Sequence, residues 1–143
     1  MDYTIYTDGG YSNMHKVGAF AYVMLDSEGN EYKKNAWKIT DESNNRAELK
    51  AIITAIHHLP STNLNVEVKS DSQYALKTLS GEWSRNANTD LFDVWERVLG
   101  EKKPTITYTW VKGHNGNHYN EMCDKMCNDA VGFDMGEEYE KYK

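Results

Sequence analysis

The chain carries little cysteine, no excess of basic charge and no long apolar run. Cys123 and Cys127 are its only cysteines. They stand four apart in a segment that reads as a helix, where a disulfide would need poor geometry, and an intracellular chain keeps its thiols reduced in any case. Combining them with His114 and His118 gives a Cys/His set for zinc, but the spacing is loose and Asp124 intrudes. Two small side chains on a partly buried helix face is the better reading. The longest nearly uncharged apolar stretch, Val17 to Leu25, is far too short to span a bilayer, so no membrane partner is expected. The opening "MDYTIYTDGG" lacks a basic region followed by an apolar one, so no signal peptide is expected and the chain is read as cytoplasmic. A net charge of -6 and a pI of about 5.3 argue against holding nucleic acid by bulk electrostatics. They do not exclude a nucleic-acid enzyme, because acids gathered at one metal site lower the net charge without making the binding surface repulsive.

What is present fits a single domain, since 143 residues can bury a real core and no repeat, low-complexity segment or linker interrupts them. Residues 2 to 8, "DYTIYTD", alternate and read as a strand ending at Asp8. "VGAFAYVMLDSEGNEYKKNAWKIT" reads as two strands joined by a turn at Asp26 to Asn30. In "NNRAELKAIITAIHHL", Leu49, Ile52, Ile53, Ile56 and Leu59 recur at helical spacing and Pro60 follows as a stop. "LNVEVKSD" predicts a fourth strand, "SQYALKTL" a helix that Gly81 ends, and "NTDLFDVWERVL" a third helix capped by Asn88 or Thr89. "TITYTWVKG" predicts a fifth strand and residues 118 to 131 a last helix. The order implies an α/β layered domain over 1–131 whose sheet is partly parallel, with 132–143 as a frayed tail. Chemistry then belongs beyond the carboxyl ends of the strands.

Four acids stand at element ends. Asp8 precedes Gly9-Gly10, Glu48 lies near the start of the first helix, Asp71 follows the fourth strand and Asp124 sits early in the last helix. Each has a structural explanation of its own. Asp before Gly-Gly is turn chemistry, Asp71 or Ser72 caps a helix, and Asn45 to Glu48 has the outline of a capping box. Gathered in space, however, four carboxylates would repel one another, and a fold keeps such a cluster only if a cation relieves it. Oxygen-only ligands suit Mg²⁺ or Mn²⁺ rather than zinc. Two such ions roughly 4 Å apart form the clamp used in phosphodiester cleavage.

The pieces "YTDGG", "SNNRAELKAI", "SDSQYAL" and "VKGHNGNHYNEMCD", read in order over nearly the whole chain, closely resemble type 1 ribonuclease H. The resemblance implies a ribonuclease H-like three-layer fold, a five-stranded mixed sheet flanked by helices. It implies a stand-alone endonuclease, expected as a monomer, that hydrolyses the RNA strand of RNA–DNA hybrids without regard to sequence. Two Mg²⁺ ions, with Mn²⁺ as a substitute, would serve a mechanism leaving 5′-phosphate and 3′-hydroxyl ends. Carried over by motif, Asp8, Glu48, Asp71 and Asp124 correspond to the metal-binding catalytic set and His114 to the family's mobile histidine. That role suits a side chain titrating near neutrality on a Gly-flanked loop. Asn44, Asn45 and Gln73 match positions that contact the hybrid's minor groove, where 2′-hydroxyls distinguish RNA from DNA. Ser43 matches a contact to a phosphate of the DNA strand, and Asn13 is a further polar candidate on the first loop.

The chain departs from many family members in lacking a basic, Trp-rich protrusion. Only "SGEWSRNANTD" separates the second and third helices, which makes this a handle-less form with more salt-sensitive binding. Trp83 there either lines the channel for the DNA strand or packs in the core. Asp41 places an acid where a phosphate pocket would favour a base. His57 and His58 close the first helix, where its dipole favours positive charge, and His118 reads as a surface histidine. A catalytically silent hybrid-binding module is the alternative, and the presence of all four acids speaks against it. A reverse-transcriptase nuclease segment and an integrase-like relative are disfavoured, the first by the lack of a polymerase segment and the second by the order of the acids.

Overall fold

The structure, a computed structural model, describes residues 1–113 and 117–135. Its elements run β1 (Tyr3–Ser12), β2 (Val17–Leu25), β3 (Glu31–Thr40), α1 (Asn44–His57), β4 (Asn65–Ser70), α2 (Gln73–Leu79), α3 (Thr89–Lys102), β5 (Thr105–Trp110) and α4 (His118–Val131). The five strands form one sheet in the order β3-β2-β1-β4-β5. β1, β2 and β3 pair antiparallel, whereas β4 lies parallel to both β1 and β5. Each parallel pairing requires a crossover, supplied by α1 and then by α2 with α3.

Helices cover the sheet on two faces, and the alternation of side chains along the strands decides which residue meets which layer. Ile5, Tyr22, Met24, Val66 and Val68 pack with α1, α2 and α3. Tyr6, Ala19, Ala21, Val23 and Leu25 point the other way and meet Cys123 and Cys127 of α4. Every residue of β2 is therefore buried, which explains why its sequence is apolar without alternation. Leu49, Ile52 and Ile56 of α1 are fully enclosed, each contributing about 2 kcal/mol of apolar burial. This is the five-stranded mixed α/β sheet that the sequence implies.

Several boundaries differ from expectation, each for a visible reason. β1 does not stop at Asp8; Gly9 to Ser12 continue the ladder against Phe20 to Val17. β5 ends at Trp110, where its partner β4 runs out. Ser43 caps α1 by accepting from the Arg46 N–H at 3.2 Å, so the capping box at Asn45 does not form and Glu48 falls in the second turn. Asn88 precedes α3 in the left-handed region (φ 59°) and makes no side-chain cap. Trp83 is exposed and so is not a core residue. His58 pairs with the Tyr22 hydroxyl at 2.7 Å through Nδ1, and burial followed by Lys33 lowers its pKa, so it favours the neutral form rather than the helix-end cation. After α4, Gly132 turns the chain (φ 88°), Phe133 meets the His15 ring at 4.9 Å and the Met135 N–H donates to Asn128 Oδ1. Residues 132–135 thus pack on the domain, and the rest of the expected tail lies outside the described residues.

Candidate active site

Parallel pairing of β1 with β4 ends at Tyr6 and Lys69, so Asp8 and Asp71 both stand just beyond the last rung, at the same edge of the sheet. The local alternatives for each acid are taken by other groups. Asp8 lies inside a continuing strand rather than a turn. Ser72, not Asp71, caps α2, its hydroxyl accepting from the Ala75 N–H at 3.1 Å.

Glu48 reaches this edge because α1 comes very close to β1. A Cβ on Gly9 would sit 2.5 Å from the Ala47 carbonyl carbon and 2.7 Å from the Glu48 nitrogen, so only glycine permits the approach. Asp8, Glu48 and Asp71 consequently each offer an oxygen within 4.8 Å of the other two. Burial, then Asp71 and Asp124, push the pKa of Asp8 well up; burial, then Asp8 and Asp71, do the same to Glu48. The Gly9 N–H opposes both shifts without cancelling them. Glu48 Oε2 is buried with no hydrogen-bond partner. A buried carboxylate oxygen left this way is costly, and a cation between the three acids removes both the cost and the repulsion. The donor set, three carboxylates and no sulfur or imidazole, fits a hard divalent ion.

Asp124 lies outside this tight trio. It stands two turns into α4, faces the Asn128 amide at 3.5 Å and lines an open groove of about 540 Å³ with Lys125, Asn128 and Asp134. Its charge still reaches Asp8. His114 lies outside the described residues. The zinc alternative does not form among the described residues: the Cys123 and Cys127 thiols donate to the Tyr6 and Asp8 carbonyls at 3.4 and 3.8 Å, and burial followed by Asp8 drives both pKa values up. His118 is exposed against the Tyr119 ring.

The polar candidates are distributed around α1 and its neighbours. Asn44 Oδ1 accepts from the Tyr11 N–H at 2.7 Å and so ties the start of α1 to the far end of β1. Ser43 is the α1 cap, Asn45 is exposed on the first turn, Gln73 is exposed as the first residue of α2, and Asn13 is exposed on the turn after β1. Asp41 is exposed in the left-handed region (φ 55°). Two close approaches escape a reading by residue type. Gly9 admits α1, and a Cβ on Gly113 would come within 2.8 Å of Asp71 Oδ2. The glycines were legible as turn residues, but what they approach is a tertiary fact.

A family model described as RNase H matches residues 1–132. The chain belongs to the RNase H family. It is 31% identical to a ribonuclease H of Clostridium botulinum over 89% of this chain and 93% of that protein. It is 34% identical to a ribonuclease HI of Synechocystis over 86% of this chain and 83% of the relative. The N-terminal RNase H domain of a Mycobacterium tuberculosis protein, solved as a fusion with maltose binding protein, shares the fold with a TM-score of 0.75 at 22% identity, covering 91% of this chain and 93% of that one. The protein is thus a ribonuclease H, a nuclease of the hydrolase class, and membership implies use of a divalent metal, for which the acidic trio offers ligands. α2 ends at Leu79 and α3 begins at Thr89, and no further helix stands between them. No helix among the described residues is long and apolar enough to cross a membrane.

Proposed function

We propose that this ribonuclease H is a monomeric, cytoplasmic endonuclease that hydrolyses the RNA strand of RNA–DNA hybrids without sequence preference, leaving 5′-phosphate and 3′-hydroxyl ends. Asp8, Glu48, Asp71 and Asp124 would hold two Mg²⁺ ions, which Mn²⁺ could replace. The observation that carries the reading is the unpartnered, buried Glu48 Oε2 among carboxylates with raised pKa values. When bound, the ions supply polarisation of the attacking water and charge stabilisation on the leaving oxygen.

The chain's own residues supply the rest. Asp8, Glu48 and Asp71 fix the centre at the sheet edge and keep their oxygens facing one another. Asn44, with Oδ1 occupied by the Tyr11 N–H, presents its NH₂ as a donor, which suits acceptor atoms in the minor groove. Asn45, Gln73 and Asn13 add exposed polar groups, and Ser43 contacts a DNA-strand phosphate while capping α1. His114 follows Gly113, which abuts Asp71, and assists proton transfer or product departure. The test is incubation of the purified chain with labelled RNA–DNA, RNA–RNA and DNA–DNA duplexes, with and without Mg²⁺. Cutting of the RNA strand in the hybrid alone, and only with metal, is expected. Binding of the hybrid without cutting under any divalent ion would replace the enzyme with a binding module.

A further inference from the structure

Asp71 is gripped by the segment that leaves β5. The last rung of the sheet pairs Ser70 with Trp110, and the Val111 N–H donates to the Ser70 carbonyl at 2.9 Å. Trp110 then turns its ring back over the strand end, and its indole N–H donates to the Asp71 carbonyl oxygen at 3.2 Å. At the opposite edge of that same peptide group the Ser72 N–H donates to Ser70 Oγ at 3.0 Å. The Gly113 backbone closes against the Asp71 carboxylate, near enough that a Cβ would fall 2.8 Å from Oδ2. The peptide planes flanking Asp71 are therefore fixed by hydrogen bonds, and its side chain is limited by a wall.

Core packing does not account for Trp110, which is 50% exposed. What distinguishes it is the one polar bond its ring makes, to the main chain of an acid in the trio. We infer that Trp110 is a positioning residue: through its indole N–H it orients the Asp71 peptide, and so sets how well Asp71 joins Asp8 and Glu48 in holding a divalent cation. The inference rests on the proposed metal reading of the trio. Outer contacts that orient a metal ligand commonly change metal affinity by roughly 10–100-fold, and a contact to the ligand's main chain belongs at the lower end.

Trp110→Phe keeps the ring and removes the N–H. In the full chain, Mn²⁺ affinity read from the electron paramagnetic signal of free Mn²⁺ and from metal-induced thermal stabilisation should fall roughly tenfold. The melting temperature without metal should be unchanged, kcat should recover at saturating Mn²⁺ and KM for the hybrid should hold. Gly113→Ala presses on the same carboxylate from the other side and should reproduce the loss, which keeps the inference testable if Trp110→Phe melts early. Equal Mn²⁺ affinity in the original chain and in Trp110→Phe would overturn it. So would a rise in KM for the hybrid with metal affinity intact, which would make Trp110 a nucleic-acid contact. Failure of the unsubstituted chain to bind Mn²⁺ at all would instead remove the metal reading, and this inference with it.

Discussion

Two groups of carboxylates flank the start of α1, and they are resolved in opposite ways. Glu42 receives Arg46 and Lys50, and Arg46 also pairs with Asp90 at 2.7 Å, tying α1 to α3. Burial alone would raise the pKa of Glu42, but hydrogen bonds from Lys50 and Arg46 outweigh it and hold the group below the usual range. The Arg46 hydrogen bond holds Asp90 down at about 2. In the trio, by contrast, burial and the neighbouring acids push Asp8 and Glu48 well up. The first cluster is complete within the chain and contributes to the fold. The second keeps its mutual repulsion and a buried carboxylate oxygen on Glu48 with no hydrogen-bond partner, which is what a bound cation would relieve.

The largest expected effect comes from removing a charge in the second cluster. Asp8→Asn or Asp71→Asn should reduce Mg²⁺-dependent cutting of the hybrid by roughly a thousandfold or more, about 4 kcal/mol of barrier. Less repulsion should at the same time raise the melting temperature in chelator, by roughly 0.5–2 kcal/mol of stability. Activity assays and thermal melts on the same preparations check both, and a melt that falls would erase the contrast between the clusters.

Next comes removal of the cation from the first. Arg46→Ala leaves the mostly buried Glu42 with Lys50 alone and cuts the tie to Asp90. Destabilisation of about 2 kcal/mol is expected in urea titrations, with or without Mn²⁺. An equally large loss confined to the metal-bound protein would merge the two clusters into one functional unit.

The smallest effect is a pH dependence of opposite sign. Asp8 and Glu48 hold their protons to higher pH in the folded chain than in the unfolded one. Between the ordinary carboxylate range and their raised folded values, the folded chain binds more protons, so metal-free stability falls as pH rises through that window. Glu42 and Asp90 are lowered, so their contribution is present above the unfolded range and is lost as pH falls toward their folded values. Melts in chelator should therefore improve as pH is lowered through that window, before declining in stronger acid. Stabilisation by added Mn²⁺ should grow with pH over the same interval.

Much of this was legible in the order of residues. The apolar spacing of α1 revealed a helix, the order of elements implied a layered and partly parallel sheet, and the resemblance implied its three layers. Strand-end acids pointed to one edge. Less was legible where pairing decides the outcome. Asp8 before two glycines has the look of a turn, and only the partner strand β2 shows that the ladder runs on to Ser12. Glu48 resembled a capping acid because Asn45 stands three residues before it, yet the true cap, Ser43, lies two residues earlier. Asp124 shared a motif with the other acids but stands outside the tight trio. His58 was read from its helix end, while its protonation is governed first by burial and then by neighbouring charges. Trp110 carried no signal at all, since its bond is made across the strand end to a residue far away in the chain.

The register of β1 against β4 has one more outcome. No single stretch of polypeptide holds the centre: two of its acids precede Pro60, and the third follows β4. A nascent chain that has emerged only as far as α1 can bring Asp8 beside Glu48 but has nothing to close the ring. Competence to cut therefore arrives no earlier than the last parallel rung, and in the proposed set it waits further for Asp124 of α4.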